Sequence, residues 1–530
     1  MTNVTAEQLP DNPEALKALL RQQSEQLEHK QQRICLLEEQ ILLLRNKQFS
    51  SSSEKADSAQ LEFFNEAETA VDEDAEDPAP ATETVTYTRK KPAGRKPLPE
   101  DLPRVRIEHD LPEEEKVCIC GCQMQLIGEA LSEQLDIIPA KIQVLQQARK
   151  KYACKACESG VKTAALPLQP IPKSNASPGL LAHIAVAKYQ DALPLTRQTK
   201  IFRRIGVDLP RNTLANWIIR SSELVQPLLN LFEDKLREGP IIQCDETPLQ
   251  VLKESDKAPQ SQSYMWVRLG GAPGQKVVLY DYHPSRSGAV ANTLLSGFNG
   301  YLQTDDYVGY HAVGTEQGIT HLGCWAHARR KFVEAQKVAG GKTSKSKGKK
   351  QPSKADIALN YIGHLYGIER KGQRLTVGER CRLRQEESLP VLAKIHNWLE
   401  KTLPKSLPKT ALGKALGYLH KNWKKLLVYT EDGRLNIDNN AAENAIRPFV
   451  IGRKNWLFSD TPKGAKASAA LYGLIETAKA NRLEPYDYLR RVYTDLPRAQ
   501  TVGEIEALLP WNLQSATEAG LPNEPKGEVT

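Results

Sequence analysis

Ile241-Ile-Gln-Cys-Asp245 and Gly300-Tyr-Leu-Gln-Thr-Asp305 end alike, in a glutamine, one intervening residue and an aspartate. Both stretches alternate in the manner of half-buried strands and are bounded by Gly and Pro. Side chains two apart share a strand face. If the strands lie side by side with aligned ends, Gln243 and Asp245 share a face, as do Gln303 and Asp305, and equal parity brings Asp245 and Asp305 together. Asp306 then points to the other face or into the following loop. Tyr264 to Leu269 and Lys276 to Tyr282 read as the second and third strands, Ser287 to Phe298 as a helix, and Ile319 to Cys324 as a fifth strand running into Trp325-Ala-His-Ala-Arg-Arg-Lys-Phe332. Three strands, a helix, two strands and a helix make a mixed α/β sheet.

The elements around this core point to several domains. The chain has 530 residues, 40% of them apolar and 26% charged. That composition excludes wholesale disorder and a fibre, and the absence of an eighteen-residue apolar run excludes a membrane span. The polar start, Met1 to Pro13, lacks the apolar core of a secretion signal, so a cytoplasmic protein is expected. Residues 54–88 hold eleven acids and one lysine, net −10 in a chain of net +8, which leaves +18 on the rest. Such an excess suits a polyanion, nucleic acid first.

Leu16, Leu20, Gln23, Leu27, Lys30, Ile34, Leu37, Ile41 and Leu44 step alternately by four and three, a heptad seam that predicts a self-associating coiled coil over residues 14–47. Residues 48–100 read as a linker, acidic and then basic at Arg89-Lys-Lys-Pro-Ala-Gly-Arg-Lys-Pro97. Cys118-Ile-Cys-Gly-Cys122 and Cys154-Lys-Ala-Cys157 supply two close thiol groups, enough for one tetrahedral structural zinc within residues 101–170. Cys154 and Cys157 form one pair. Cys118 with Cys120, or Cys120 with Cys122, forms the other. Residues 175–235 read as three short helices with a Gly-containing turn before Arg211-Asn-Thr-Leu-Ala-Asn-Trp217, a helix-turn-helix-like arrangement that puts Arg211, Asn212 and Asn216 toward DNA. Residues 239–465 hold the α/β region, interrupted over 333–430 by a seven-lysine segment and helices. Residues 466–513 read as helical.

Asp245 at the end of the first strand, Asp305 at the end of the fourth and Glu443 in the first turn of a helix capped by Asn439 or Asn440 stand where open α/β sheets gather reactive groups. Three converging carboxylates repel one another without cations, and hard oxygen ligands select Mg²⁺ or Mn²⁺. Arg447, one turn after Glu443, could hold a phosphate or the glutamate. Lys454, Asn455 and Trp456 offer charge and a stacking face, with Trp456 the better candidate for the core. His327 and Trp325 follow the fifth strand, as a phosphate contact or as packed residues.

The strings IIQCDETP, GYLQTDDYVGYH, CWAHARRKF, NNAAENAIRPFVIGRKNWLF and AKANRLEPYDYLRRVYTDLP, in this order, resemble the DDE transposases of the insertion sequence 66 family, from about Leu16 to Leu513. The resemblance implies a ribonuclease-H-like core, an Asp-Asp-Glu metal site matching Asp245, Asp305 and Glu443, a zinc-binding domain, and a helical insertion before the glutamate. It also implies action on insertion-sequence ends and target DNA; the heptad seam adds a homo-oligomer, and small companion proteins of the same element are further candidate partners. Asp306 stands where the family usually has Gly, and Asn444 where Arg is usual. A second reading keeps DNA binding and end pairing without chemistry.

Overall fold

The computed structural model describes residues 142–153, 161–313, 318–340 and 352–513, with scattered positions between Asn12 and Ile41. The cysteines at 118, 120, 122, 154 and 157 and the linker 48–100 lie outside the described residues. The described positions from Glu14 to Ile41 are helical, and Leu27, Ile34, Leu37 and Ile41 of the heptad seam are each about half exposed or more. In a separate unit, β1 (Lys151–Ala153) and β2 (Val161–Thr163) form an antiparallel hairpin.

The main unit is built on a five-stranded sheet. Its strands are β3 (Ile241–Gln250), β4 (Gln262–Gly270), β5 (Val277–His283), β6 (Gly300–Gln303) and β7 (Ile319–Leu322), in the order β5-β4-β3-β6-β7. β4 runs antiparallel to β3 and β5, whereas β3, β6 and β7 are parallel. The crossover from β5 to β6 contains the Gly288–Leu294 helix.

The helices at Pro178–Tyr189, Leu195–Arg204 and Arg211–Leu224 fall where the sequence places them, with Gly206 at φ 85° in the turn between the last two. A fourth helix, Gln226–Glu238, follows. These helices share their core with the sheet. Leu181, Leu214, Phe232, the sheet residues Met265 and Leu279, and Leu474 and Leu489 of the C-terminal helices belong to one continuous core. The Arg268 guanidinium joins the two parts, donating to Glu233 of the fourth helix and to Asp281 of β5.

The open edge of β5 is covered by the Pro462–Ala480 helix. Val278 N–H donates to Thr477 Oγ1 at 3.0 Å, and Asn481 Nδ2 donates to Lys276 O at 2.6 Å. Side chains thereby satisfy backbone groups that an open edge would offer to other strands. A second core lies in the insertion, where Trp325 and Phe332 pack with Ile362, Leu365, Leu392, Leu399, Leu416 and Leu426. Among the described residues no helix is long and apolar enough to cross a membrane.

Candidate active site

The β3–β6 register sets the site. Gln243 is paired with Gln303, and Gln243 Nε2 donates to Gln303 Oε1 at 2.6 Å. The aligned register expected from the repeated Gln-x-Asp pattern is present. Asp245 is not at its strand's end, however: β3 runs on to Gln250 because Thr247, Leu249 and their neighbours keep pairing with β4. Asp305 stands two residues beyond β6, where Asp305 Oδ1 accepts from Tyr307 N–H at 3.0 Å.

The two glutamines also position the third acid. Gln303 Nε2 donates to Asn436 O at 2.9 Å and Gln243 Nε2 to Asp438 O at 3.4 Å. Trp325 N–H donates to Ile437 O, and Asn439 Nδ2 donates to Cys244 O at 2.9 Å. The 436–439 loop is thus stitched to the sheet immediately before the Asn440–Trp456 helix, which carries Glu443 in its first turn. Asn439 stands at the N-cap position as expected, but its side chain makes no capping hydrogen bond; instead Asp438 Oδ1 accepts from Asn440 N–H at 3.1 Å. Asp438 is buried and receives Tyr366 OH at 2.7 Å, so the carboxylate serves both the cap and the insertion.

Burial first, and then the neighbouring Glu246, Glu443 and Asp305 carboxylates, push the Asp245 carboxyl well above the ordinary range. Asp305 is also raised by burial, against the pull of Tyr307 N–H and the Arg286 and Arg330 charges. Such a cluster of acids fits a hard divalent cation, which would relieve the repulsion.

Glu246 faces elsewhere. Arg286 Nε donates to it at 2.6 Å and Tyr310 OH at 2.6 Å, and Arg286 lies 3.7 Å over the Tyr307 ring. Asp306 is separate again, held by His311 at 3.1 Å and Lys421 at 3.0 Å. Burial opposes its ionisation, but hydrogen bonds from Asn422, Lys421 and His311 outweigh burial and keep its carboxyl low.

Glu443 is buried, and Arg330 Nη2 donates to both its oxygens at 2.6 Å. His327 Nδ1 lies 3.6 Å from Glu443 Oε1. Burial, then the Arg330 and Lys331 charges, push His327 down to about 4, so the ring is neutral. Ligand atoms of Cys324, His327 and Glu443 lie within 4.8 Å of one another. Trp325 is packed, with its indole N–H on Leu426 O.

Arg330, Arg286, Tyr310 and Asp438 were not singled out by sequence reasoning. Arg330 left a trace: the Trp325–Gly340 helix has no acid in its first turn and soon carries Arg329, Arg330 and Lys331, against the macrodipole preference. Arg211, Asn212 and Asn216 are exposed on their helix, and Asn216 opens on a cleft of about 440 Å³ lined also by Lys173, Thr213 and Arg220. Lys454 is exposed, Arg447 is half-buried, and Trp456 packs on Phe449 with ring centres 5.4 Å apart.

The Transposase IS66 family model matches residues 173–467, and the IS66 C-terminal element matches residues 473–511. The zinc-finger binding domain of transposase IS66 matches residues 115–158, a span that contains all five clustered cysteines. Transposase C of IS166 homeodomain matches residues 36–107. Among curated proteins, the uncharacterized protein y4qI of Sinorhizobium fredii (strain NBRC 101917 / NGR234) is 31% identical over 507 residues, covering 91% of this chain and 90% of that protein. From the same organism, y4jD is 33% identical over 427 residues, covering 78% and 81% of the two chains. With its central region, its cysteine-containing segment and its C-terminal element all matched in order, the chain belongs to the IS66 transposase family.

Proposed function

We propose that the protein is a DDE transposase with a ribonuclease-H-like core, in which Asp245, Asp305 and Glu443 hold two Mg²⁺ or Mn²⁺ ions. What carries the reading is the Gln243–Gln303 register, which aligns the strands of the two aspartates and anchors the loop before Glu443. Such ions, when bound, stabilise the attacking and leaving oxygens of an in-line phosphoryl displacement. Asp245 supplies anionic oxygens from the sheet and Asp305 from the turn just beyond β6. Glu443 has first to part from Arg330, and a DNA phosphate is the natural competitor for that guanidinium.

The sequence of reactions is two displacements. Water breaks a phosphodiester at the element end and leaves a free 3′-hydroxyl. That hydroxyl then attacks a target phosphodiester, joining the strands and releasing a target 3′-oxygen. No covalent bond to the protein forms, so the protein's contribution is alignment and charge. Arg211, Asn212 and Asn216 on their exposed helix, with Arg447 and Lys454 beyond the glutamate, are assigned to DNA. The 14–47 segment, whose described seam residues Leu27, Ile34, Leu37 and Ile41 are exposed, is assigned to homo-oligomer formation through a coiled coil.

The test is purified full-length protein with labelled element ends and Mg²⁺. Nicked ends and joined products, both lost on chelation, are the expected result. The Arg330–Glu443 pair favours a second reading, an end-pairing protein without chemistry. Ends that are bound and paired but never nicked with either Mg²⁺ or Mn²⁺ would establish it and overturn the first.

We also assign one structural zinc to the segment holding Cys118, Cys120, Cys154 and Cys157, with Cys122 as the alternative ligand. Elemental analysis of the full chain should give about one zinc per protomer, since four thiolates satisfy one tetrahedral ion. Replacing Cys154 and Cys157 together by serine should release the zinc and open the segment to protease. A zinc-free chain with equal protease resistance there would refute the assignment.

A further inference from the structure

The helix that carries Glu443 ends in a strained turn. Leu457 sits at φ 66°, ψ −52°, and Phe458 N–H donates to Trp456 O at 2.8 Å. This is a three-residue γ-turn of the rare hand. Strain of this kind persists only where the surroundings over-determine it, and it clusters at functional sites.

The surroundings here do so from both sides. Leu457 N–H donates back to Arg453 O at 2.7 Å. Ser459 N–H donates to Gln250 O at 3.0 Å, Leu252 N–H to Ser459 O at 3.0 Å, and Lys253 N–H to Asp460 O at 2.9 Å. The turn is therefore clamped between the end of the Glu443 helix and the end of β3, the strand that carries Asp245. Its position relative to both acids is fixed by two rigid elements.

What the turn does is present apolar side chains to solvent. Leu457 is 64% exposed and Phe458 42%, with Ile451 of the same helix at 50%. Trp456, the aromatic that the sequence offers for stacking, packs inward, and its neighbours take the outward place. The rim is basic. Arg453, Lys454, Lys463 and Lys466 flank the turn, and the one acid between residues 444 and 475, Asp460, is already paired with Lys253 at 2.9 Å. A second copy of the same patch would bring like charges together. A polyanion with apolar faces would not, and DNA with an unstacked base is such a partner.

We propose that Leu457 and Phe458 form a wedge that stacks against an unpaired base of the bound DNA end. The proposal rests on the transposase reading for its ligand. Five residues of strand separate Asp245 from Gln250, about 17 Å, and fourteen residues of helix separate Glu443 from Leu457, about 21 Å. At about 3.4 Å per nucleotide along a strand, the wedged base lies about five or six nucleotides from the cleaved phosphate.

Full-length protein bound to element-end duplexes carrying 2-aminopurine at successive positions tests this. The wild type should raise the fluorescence at a position about five or six nucleotides from the cleavage point and leave distant positions unchanged. Phe458→Ala and Leu457→Gly should each remove the rise and weaken binding to a frayed duplex by about ten- to a hundredfold, as loss of a stacking platform does. Phe458→Trp should restore both. Leu457→Gly guards against misfolding, because glycine adopts positive φ without strain, so its thermal midpoint should equal or exceed that of the wild type. A wild type that nicks and joins ends with no fluorescence rise at any position would overturn the wedge and leave the transposase reading standing. So would variants that keep the full rise, or a Phe458→Ala variant that changes only the oligomeric state. A rise without nicking or joining would uphold the wedge and count against the catalytic reading instead.

Discussion

Asp305→Asn is expected to abolish both nicking and strand joining, whereas Asp306→Gly keeps activity within about a factor of ten of the wild type. The two residues are chain neighbours with opposite surroundings. Asp305 follows β6 in register with the Asp245 strand, is half-buried, and is one of the charges that raise the Asp245 carboxyl. Removing its charge removes an anionic ligand, and the loss of several kcal/mol of transition-state stabilisation corresponds to about three orders of magnitude or more in rate. Asp306 instead pairs with His311 and with Lys421, whose side chain is 56% exposed. The Asp306 carboxylate is itself only 14% exposed and is also held by Asn422, so its loss costs about 1–3 kcal/mol of stability, but that cost falls outside the three acids, and glycine suits a position after a strand. Mg²⁺-dependent strand joining by the two purified variants, with circular dichroism to check folding, decides the matter. An inactive Asp306→Gly beside an active Asp305→Asn would mean that the register has been assigned to the wrong acid.

The Gln-x-Asp repetition made this register legible in the sequence, because parity along a strand depends only on counting. The three helices ahead of the sheet were legible for a similar reason: Pro178, Pro194 and Pro210 sit at or just before their first turns, where proline is tolerated. What could not be read depends on partners remote in sequence. Arg330 meets Glu443 across 113 residues, and Gln243 reaches Asp438 across 195. No local pattern marks which of 72 cations or which of many amides will make those contacts. The misplaced end of β3 has the same origin. Pro248 reads as a strand stop, but it lies beside β4 in a register that needs no amide hydrogen from it, so pairing continues to Gln250. The shared core of the N-terminal helices and the sheet was also invisible, since an apolar helix face does not name what it packs on.

Arg384→Met is expected to destabilise the insertion by roughly 3–5 kcal/mol, the penalty for removing one partner of a buried ion pair. Arg384 is fully buried at the start of a π-helical turn, Arg384–Ser388. Its guanidinium donates from Nε and Nη2 to Glu369 at 2.7 Å each, from Nη1 to Tyr429 O and Asp432 O at 2.7 Å, and from Nη2 to Leu435 O at 2.8 Å. Methionine fills much of the volume and satisfies none of these acceptors. Arg380 stays on Glu369 at 2.7 Å, so the carboxylate keeps one cation, but the three carbonyls lose theirs. Those carbonyls belong to the segment that leads into the 436–439 loop, and that loop sets the position of Glu443. The loss should therefore appear in two places at once. Amide exchange over residues 429–440 should quicken by about two to three orders of magnitude, since each 1.4 kcal/mol of local opening is a factor of ten. Strand joining should fall with it, while end binding through the Arg211–Leu224 helix, which packs in the other core, persists. Arg384→Lys should recover little of either, because one ammonium cannot reproduce the planar fork that reaches five oxygens. Unchanged exchange across residues 429–440 in the methionine variant would show that the loop before Glu443 is held by the sheet alone, and that the insertion does not support the catalytic glutamate.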